Sequence, residues 1–458
     1  MSESFINSSE SLKNARLIFR KFIPLLVAVM LQQFLGLFVN LLDNFMLGQF
    51  SEAAMSGASI VNQIHGVAGN LIFAAGSGVA MLGSQYWGKR DITSIKKIFA
   101  DGLKTSFAIG LIFTLMTAIF PEQILGLLTN DSVILEQAVS YVSIICWTYV
   151  IFSVSSVLMI SLQSVETAFV GTIMSASTIV INFCMNYVLI YGNFGAPRLG
   201  ILGAAYATLT SRIIELIIVL CYIFLKDKKL RIKPAELFSF KTGFYKDYIK
   251  VASPIMIAGG SWGLGLAAQT AILGHLSAQA IGASSISVTV AQMFLVASYS
   301  AASASGVVMG KAVGSGQLGV IRDLTKLFQI FFVFLGLLMG LLMFLLRGPI
   351  IGLYSVSNET RELTEKFFVI MSISVVGSAY EYPVMGGLIA GGGNTRYQSI
   401  IDITFMWLFI IPMSALSAFV FKWPEEVTFI FLKADQLLKC IPNAIYCNSY
   451  KWVRNLTR

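Results

Sequence analysis

The sequence predicts an all-α polytopic membrane protein: twelve transmembrane helices in two six-helix bundles, related by a pseudo-two-fold axis along the membrane normal. Three observations carry this expectation. Apolar residues fill 56% of the 458 positions and charged residues only 12%, with a mean hydropathy of +0.78. A soluble chain carries roughly 25% charge, so lipid is the main solvent here. The apolar residues also gather into runs long enough to cross a bilayer. Finally, the chain repeats itself. Gly76-Ser77-Gly78-Val79-Ala80-Met81 recurs as Ala304-Ser305-Gly306-Val307-Val308-Met309. At the same separation Pro121 falls on Pro349 and Thr167 on Thr395, and Pro24 falls on Pro254 after a short slip. Duplicated membrane blocks of half a chain are a feature of secondary transporters, which bind substrate between related halves.

Apolar runs of about 20 residues or more mark the spans in order. The first half gives 22–49, 59–86, 99–120, 134–163, 168–191 and 201–225. The second half gives 249–274, 282–309, 324–346, 362–390, 398–421 and 427–447. The first run follows Arg16, Arg20 and Lys21 and is too long for the apolar region of a signal peptide, so it reads as a spanning helix. The sixth and seventh runs carry Gly203-Ala204-Ala205 and Gly259-Gly260, small-residue faces that let helices pack closely. The twelfth is the weakest, because it holds Lys433, Asp435 and Lys439; the other reading is an interfacial amphipathic helix. Long period-two alternation is absent, which excludes a β-barrel. The one long polar stretch, about 226–250 with Lys228, Lys229, Arg231, Lys233 and Pro234, reads as a linker between bundles at 1–228 and 229–458. Six spans per half make the halves enter from the same side, as parallel repeats.

The formal net charge is +9, and its placement speaks for topology rather than nucleic acid. Basic residues gather in both tails, in 87–104, 226–250 and 310–326, and around Arg396, while Arg198, Arg347, Arg361, Lys366 and Lys422 fall on the other side. The positive-inside rule then puts both termini and the linker in the cytoplasm. The expected location is the cell's inner or plasma membrane, with the bilayer itself as partner. Cys146, Cys184, Cys221, Cys440 and Cys447 all lie in expected spans without a CxxC pair, which speaks against disulfides and zinc. No GxxxxGK[ST] loop occurs, and His65 and His275 stand alone, without a catalytic arrangement. The chain reads as a transporter rather than an enzyme, without a cofactor, its energy coming from an ion gradient, a partner subunit or substrate flow.

Polar residues inside the spans locate the chemistry. A charge at mid-membrane costs about 2.5–3.5 kcal/mol on insertion scales, so each one needs a reason. In the first span Gln32, Gln33, Gly36, Asn40, Asp43 and Asn44 recur every three or four residues and share one face. Asp43 is the single carboxylate of that span. Asn62, Gly66, Gly69, Asn70 and Ser77 form a stripe in the second span, and Ser175, Thr178, Asn182 and Asn186 one in the fifth. Three such faces imply a wet cavity in the first half, lined by Gln33, Asn40, Asn44, Asn70 and Thr178. The other reading is that the amides only knit helices together. In the second half Gln269, Gln292, Tyr380, Glu381, Tyr382 and Asp402 are sparser. Glu381 either lines the cavity or sits in the outward end of its helix. Arg212 and Glu215 are spaced to pair within the sixth span.

Several segments resemble the multidrug and toxic compound extrusion (MATE) family. Gly200-Ile201-Leu202-Gly203-Ala204-Ala205-Tyr206-Ala207-Thr208 resembles its opening of span six, Asn182 with Asn186 its fifth-span motif, and Gln85-Tyr86-Trp87-Gly88-Lys89 its turn after span two. Gly391-Gly392-Gly393-Asn394-Thr395, followed by Asp402, Trp407 and Pro412, resembles its turn into span eleven. The resemblance covers nearly the whole chain. It implies a V-shaped pair of bundles antiporting amphipathic, often cationic compounds outward against H⁺ or Na⁺. The family's DinF-like branch handles the ion at positions matching Asp43, Asn182, Asn186 and Thr208, which would also be the metal ligands if the ion is Na⁺. That branch often has a second Asp where this chain has Asn186. Another branch places acids in spans seven and ten; span seven here has none, and Glu381 lies near the tenth-span position without registering on it. Two alternatives remain open, a lipid-linked oligosaccharide flippase of the same superfamily and a non-transporting membrane scaffold. A monomer acting on a small amphipathic molecule is expected.

The topology yields a first test. A single cysteine at Ser132, in the loop after span three, is expected to react with an impermeant reagent on intact cells; reaction only after permeabilisation overturns the orientation.

Overall fold

The computed structural model describes residues 2–129, 131–237, 243–316, 318–354 and 356–457. The middle of the expected linker, 238–242, lies outside the described residues. Every regular element among the described residues is a helix. This is the all-helical class the sequence predicts, since in hydrocarbon each backbone N–H and C=O must find its partner within the segment.

Among the described residues, eleven helices are long and apolar enough to span: Ser11–Phe50, Glu52–Lys89, Ile92–Ile119, Ser132–Ser164, Phe169–Leu189, Ile201–Lys226, Tyr245–Gly274, Gln279–Gly314, Gly319–Ile351, Asn358–Ile389 and Thr395–Val420. We number them first to eleventh. The expected twelfth run is instead three short segments, Glu425–Lys433, Asp435–Leu438 and Cys440–Asn448. Its interruptions fall beside Lys433, Asp435 and Lys439, the residues that made the run weak in sequence. Side-chain caps close several helix starts. Asp91 accepts from the Ser94 N–H at 3.1 Å and Ser277 from the Ala280 N–H at 2.9 Å, which satisfies backbone donors that have no intrahelical partner.

The chain forms two compact units. An N-terminal unit comprises Leu31–Gly83 and Arg90–Met256, and a C-terminal unit comprises Met1–Met30, Ser84–Lys89 and Ile257–Arg458. The packing therefore groups short pieces of the first and second helices with the C-terminal unit, and groups the start of the seventh with the N-terminal one. In the N-terminal unit the third helix packs on the fourth, and the fourth and fifth pack on the sixth. In the C-terminal unit the eighth and ninth both pack on the tenth. Glycines set the closest approaches: a Cβ on Gly110 would stand 2.6 Å from Ser153 Oγ and 2.8 Å from Tyr149 O. The opposite faces meet lipid. Ile330, Phe334, Leu337, Leu341 and Leu345 are all exposed along one side of the ninth helix, a helical stripe that water would not tolerate but acyl chains solvate.

Gly110→Ala is therefore expected to lower stability by about 1–3 kcal/mol through overpacking. Gly36→Ala, with nothing within 4 Å of the added methyl, is expected to be neutral or stabilising. Thermal melting of the purified variants checks this; equal melting temperatures reject the close packing of the third and fourth helices.

Candidate functional site

The site is built by the first, fifth and sixth helices of the N-terminal unit. Asn182 and Asn186 lie one turn apart on the fifth, so both amides leave the same face. The sixth helix can come close enough to meet them because it has Gly203 where a Cβ would stand 2.5 Å from Leu189 O. That approach delivers Thr208 to Asn182. On the first helix, Asp43 is the carboxylate of the polar stripe, and it is buried.

These four side chains close a ring. Asn186 Nδ2 donates to Asp43 Oδ1 at 2.5 Å and to Asn182 Oδ1 at 3.0 Å. Asn182 Nδ2 donates to Thr208 Oγ1 at 3.3 Å, and the Thr208 hydroxyl donates to Asp43 Oδ2 at 3.5 Å. Each oxygen of the carboxylate thus meets a neutral donor. The nearby cation is held elsewhere: Arg212 Nη1 lies 2.7 Å from Glu215 Oε2, the pairing its spacing predicts, and its guanidinium rests 4.6 Å from the centre of the Phe152 ring.

The ring opens onto a small pocket lined by Val39, Asn40, Asp43, Asn62, His65, Tyr141, Ile145, Thr148, Thr178, Asn182, Thr208, Ser211 and Arg212. It offers about 20 Å³ to the centre of a water molecule. That is room for a water or a bare small cation, and far too little for a drug-sized compound.

Of the residues the sequence assigns to a cavity, Asn40 and Thr178 line this pocket. Gln33, Asn44 and Asn70 do not; Asn70 is exposed. The first-helix glutamine that the fold engages is Gln32, whose Oε1 accepts from Gln163 Nε2 at 2.9 Å. Glu381 lies in the C-terminal unit, 2% exposed and beside Lys439. Sequence reasoning missed His65, whose ring stacks 5.7 Å from that of Tyr149. The signal available for it was its place in the Asn62–Gly69 stripe. The five cysteines are free thiols.

A duplicated, all-helical membrane chain with a polar pocket inside one bundle is the build of a membrane transporter. The MatE family model matches residues 26–188 and again 254–416, the same separation at which the sequence repeats itself. The chain belongs to the MatE family. Among its relatives, the "Probable multidrug resistance protein NorM" of Thermotoga maritima is 24% identical over 449 residues, covering 96% of this chain and 94% of that protein. The protein of the same name from Halalkalibacterium halodurans is 22% identical, covering 87% of each chain. Among solved structures, MATE in complex with MaL6 superposes with a TM-score of 0.85 at 14% identity, covering 94% of this chain and 95% of that one. The eukaryotic MATE transporter AtDTX14 gives a TM-score of 0.83 at 17% identity, covering 96% of this chain and 98% of that one.

The ring makes a testable energetic statement. Asn186→Leu removes both donors and leaves the carboxylate and the Asn182 oxygen buried without them, so a loss of about 1–3 kcal/mol for each orphaned group is expected. Adding Asp43→Asn should recover most of it, because the penalty lies in the unpaired charge. Additive losses in a thermal-melting double-mutant cycle reject the ring as a coupled unit.

Proposed function

We propose that the protein is a secondary active transporter of the plasma membrane, exporting amphipathic, often cationic compounds in exchange for a cation taken up at Asp43. The observation that carries this reading is the closed ring holding one buried carboxylate at the wall of a pocket that admits a water or a small cation but no drug-sized compound. A group so placed can exchange a small cation while the large substrate binds elsewhere in the protein. The multidrug-resistance names of the relatives support the substrate class. Two halves, 1–228 and 229–458, each holding one match of the family model, fit the repeat arrangement of such transporters. Both termini are taken as cytoplasmic and the working unit as a monomer.

Between the two ions, the ring favours H⁺. Na⁺ needs several oxygens turned toward it at once, yet here Asn186 Nδ2 and the Thr208 hydroxyl point donors at the carboxylate. A proton asks for less. The Thr208 hydroxyl can rotate from donor to acceptor, so Asp43 Oδ2 can take a proton and donate back to Thr208 without moving either helix. Protonation removes a buried charge, and a conformation that differs in its affinity for the proton is thereby linked to substrate binding.

On this reading Asp43→Asn inserts and folds but loses efflux of a dye such as ethidium driven by a pH gradient. Thr208→Val slows efflux and Thr208→Ser retains it, while replacing external Na⁺ with choline changes nothing. Efflux by Asp43→Asn at the parental rate overturns the exchange site. Translocation of a lipid-linked oligosaccharide, with no cation exported, makes the flippase reading the better one.

A further inference from the structure

The C-terminal unit buries a second set of charges that exchange at Asp43 does not use. Lys439 is 2% exposed. Its Nζ lies 2.9 Å from Asp402 Oδ1, 3.1 Å from Asp435 Oδ2 and 3.9 Å from Glu381 Oε1, and 5.9 Å from the centre of the Trp262 ring. The carboxylates reach it from three separate segments, each at an irregular point. The helix bearing Glu381 passes into the π-helical turn Pro383–Ile389, and the one bearing Asp402 passes into the π-helical turn Phe405–Ile410. The twelfth run is interrupted at Lys439 itself. Such turns concentrate at functional sites rather than in plain packing.

The charges within this cage do not balance. Three carboxylates face one ammonium, and the other lysine of the run, Lys433, turns away to donate to Gln269 Oε1 at 3.2 Å. Glu381 Oε1 is buried with no hydrogen-bond partner and faces the ammonium. Carboxylate oxygens from several directions with an aromatic face beside them are what a protein uses to hold a primary ammonium or alkali cation. Here an ammonium is already seated.

We infer that Glu381, Asp402 and Asp435 form a monovalent-cation site that the chain fills with its own Lys439, a tethered ammonium that shuts out a free cation. Lys439 thereby confines ion exchange to Asp43, a consequence that rests on the function proposed above. A merely structural ion-pair cluster would lose stability on mutation without acquiring affinity for any ion.

The test is thermal melting of the full-length protein in ethylammonium, sodium or choline chloride, with Asp43→Asn in every variant so that the first site contributes nothing. With Lys439 present, the midpoint is expected to be the same in all three salts. In Lys439→Ala the emptied cage should bind ethylammonium or Na⁺ but exclude choline, raising the midpoint by about 2–4 °C at roughly tenfold the dissociation constant. Adding Glu381→Gln should abolish the rise. A monodisperse Lys439→Ala protein that melts alike in all three salts overturns the inference. Should that variant not fold, Lys439→Gln with Asp402→Asn leaves less uncompensated charge, the same response is expected, and its absence is equally fatal. In a transport assay with Asp43 intact, Lys439→Ala efflux should become dependent on the salt. If instead Asp43→Asn still pumps, the exchange role of Asp43 fails while the melting result stands by itself.

Discussion

A carboxylate in a helix bundle solvated by lipid cannot be left without partners, and this constraint organises the N-terminal unit. An ionised group without compensation in the interior costs several kcal/mol. Asp43 meets that demand with neutral donors on two other helices, Asn186 on the fifth and Thr208 on the sixth. Those helices must therefore approach each other, and Gly203 against Leu189 O is the packing detail that permits it. Close packing and polar chemistry are here one feature seen from two sides. The nearby Arg212 is tied to Glu215, which on the proposed function leaves the carboxylate open to a small mobile cation.

Much of this was legible in the sequence because helical periodicity reports faces. Asp43 with Asn40, and Asn182 with Asn186, stand at spacings that put each pair on one side of its helix, and the Gly-rich opening of the sixth span carried Thr208. Periodicity does not report which neighbour a face meets. Gln32 and Gln33 belong to the same stripe, yet only Gln32 finds Gln163, a residue 131 positions away. His65 read as solitary for the same reason, since its ring partners Tyr149 and Phe152 lie on another helix.

The limits are plainest in the twelfth run. Lys433, Asp435 and Lys439 read as defects in a span, because a hydropathy window counts each charge against the membrane. Folding assigns them partners: Asp402 and Glu381 come from the eleventh and tenth helices to meet Lys439. At the interruptions Asp435, Gln436 and Lys439 turn inward and are buried, while Leu437 and Leu438 stay exposed. Glu381 was equally unreadable, since its place depended on an ammonium 58 residues further along.

Set against the repeat, the two polar centres are not copies. At the separation of the two family-model matches, Asp43 falls on Ala271, Asn186 on Ser414 and Thr208 on Gln436. In the reverse direction Glu381 falls on Ser153, Asp402 on Met174 and Lys439 on Ser211. Each of these charged positions is neutral in the other half. Two identical exchange centres would tie two ions to each cycle and require both to respond together. Divergence removes that requirement: one half keeps a lone carboxylate among groups that can reverse a hydrogen bond, while the other surrounds its carboxylates with a lysine that cannot leave. Ser414 Oγ and Gln436 Oε1, which fall on Asn186 and Thr208, are buried without hydrogen-bond partners. The asymmetry of the duplicated halves thus follows from the same rule that built the ring, that a buried charge persists only where its partners persist with it.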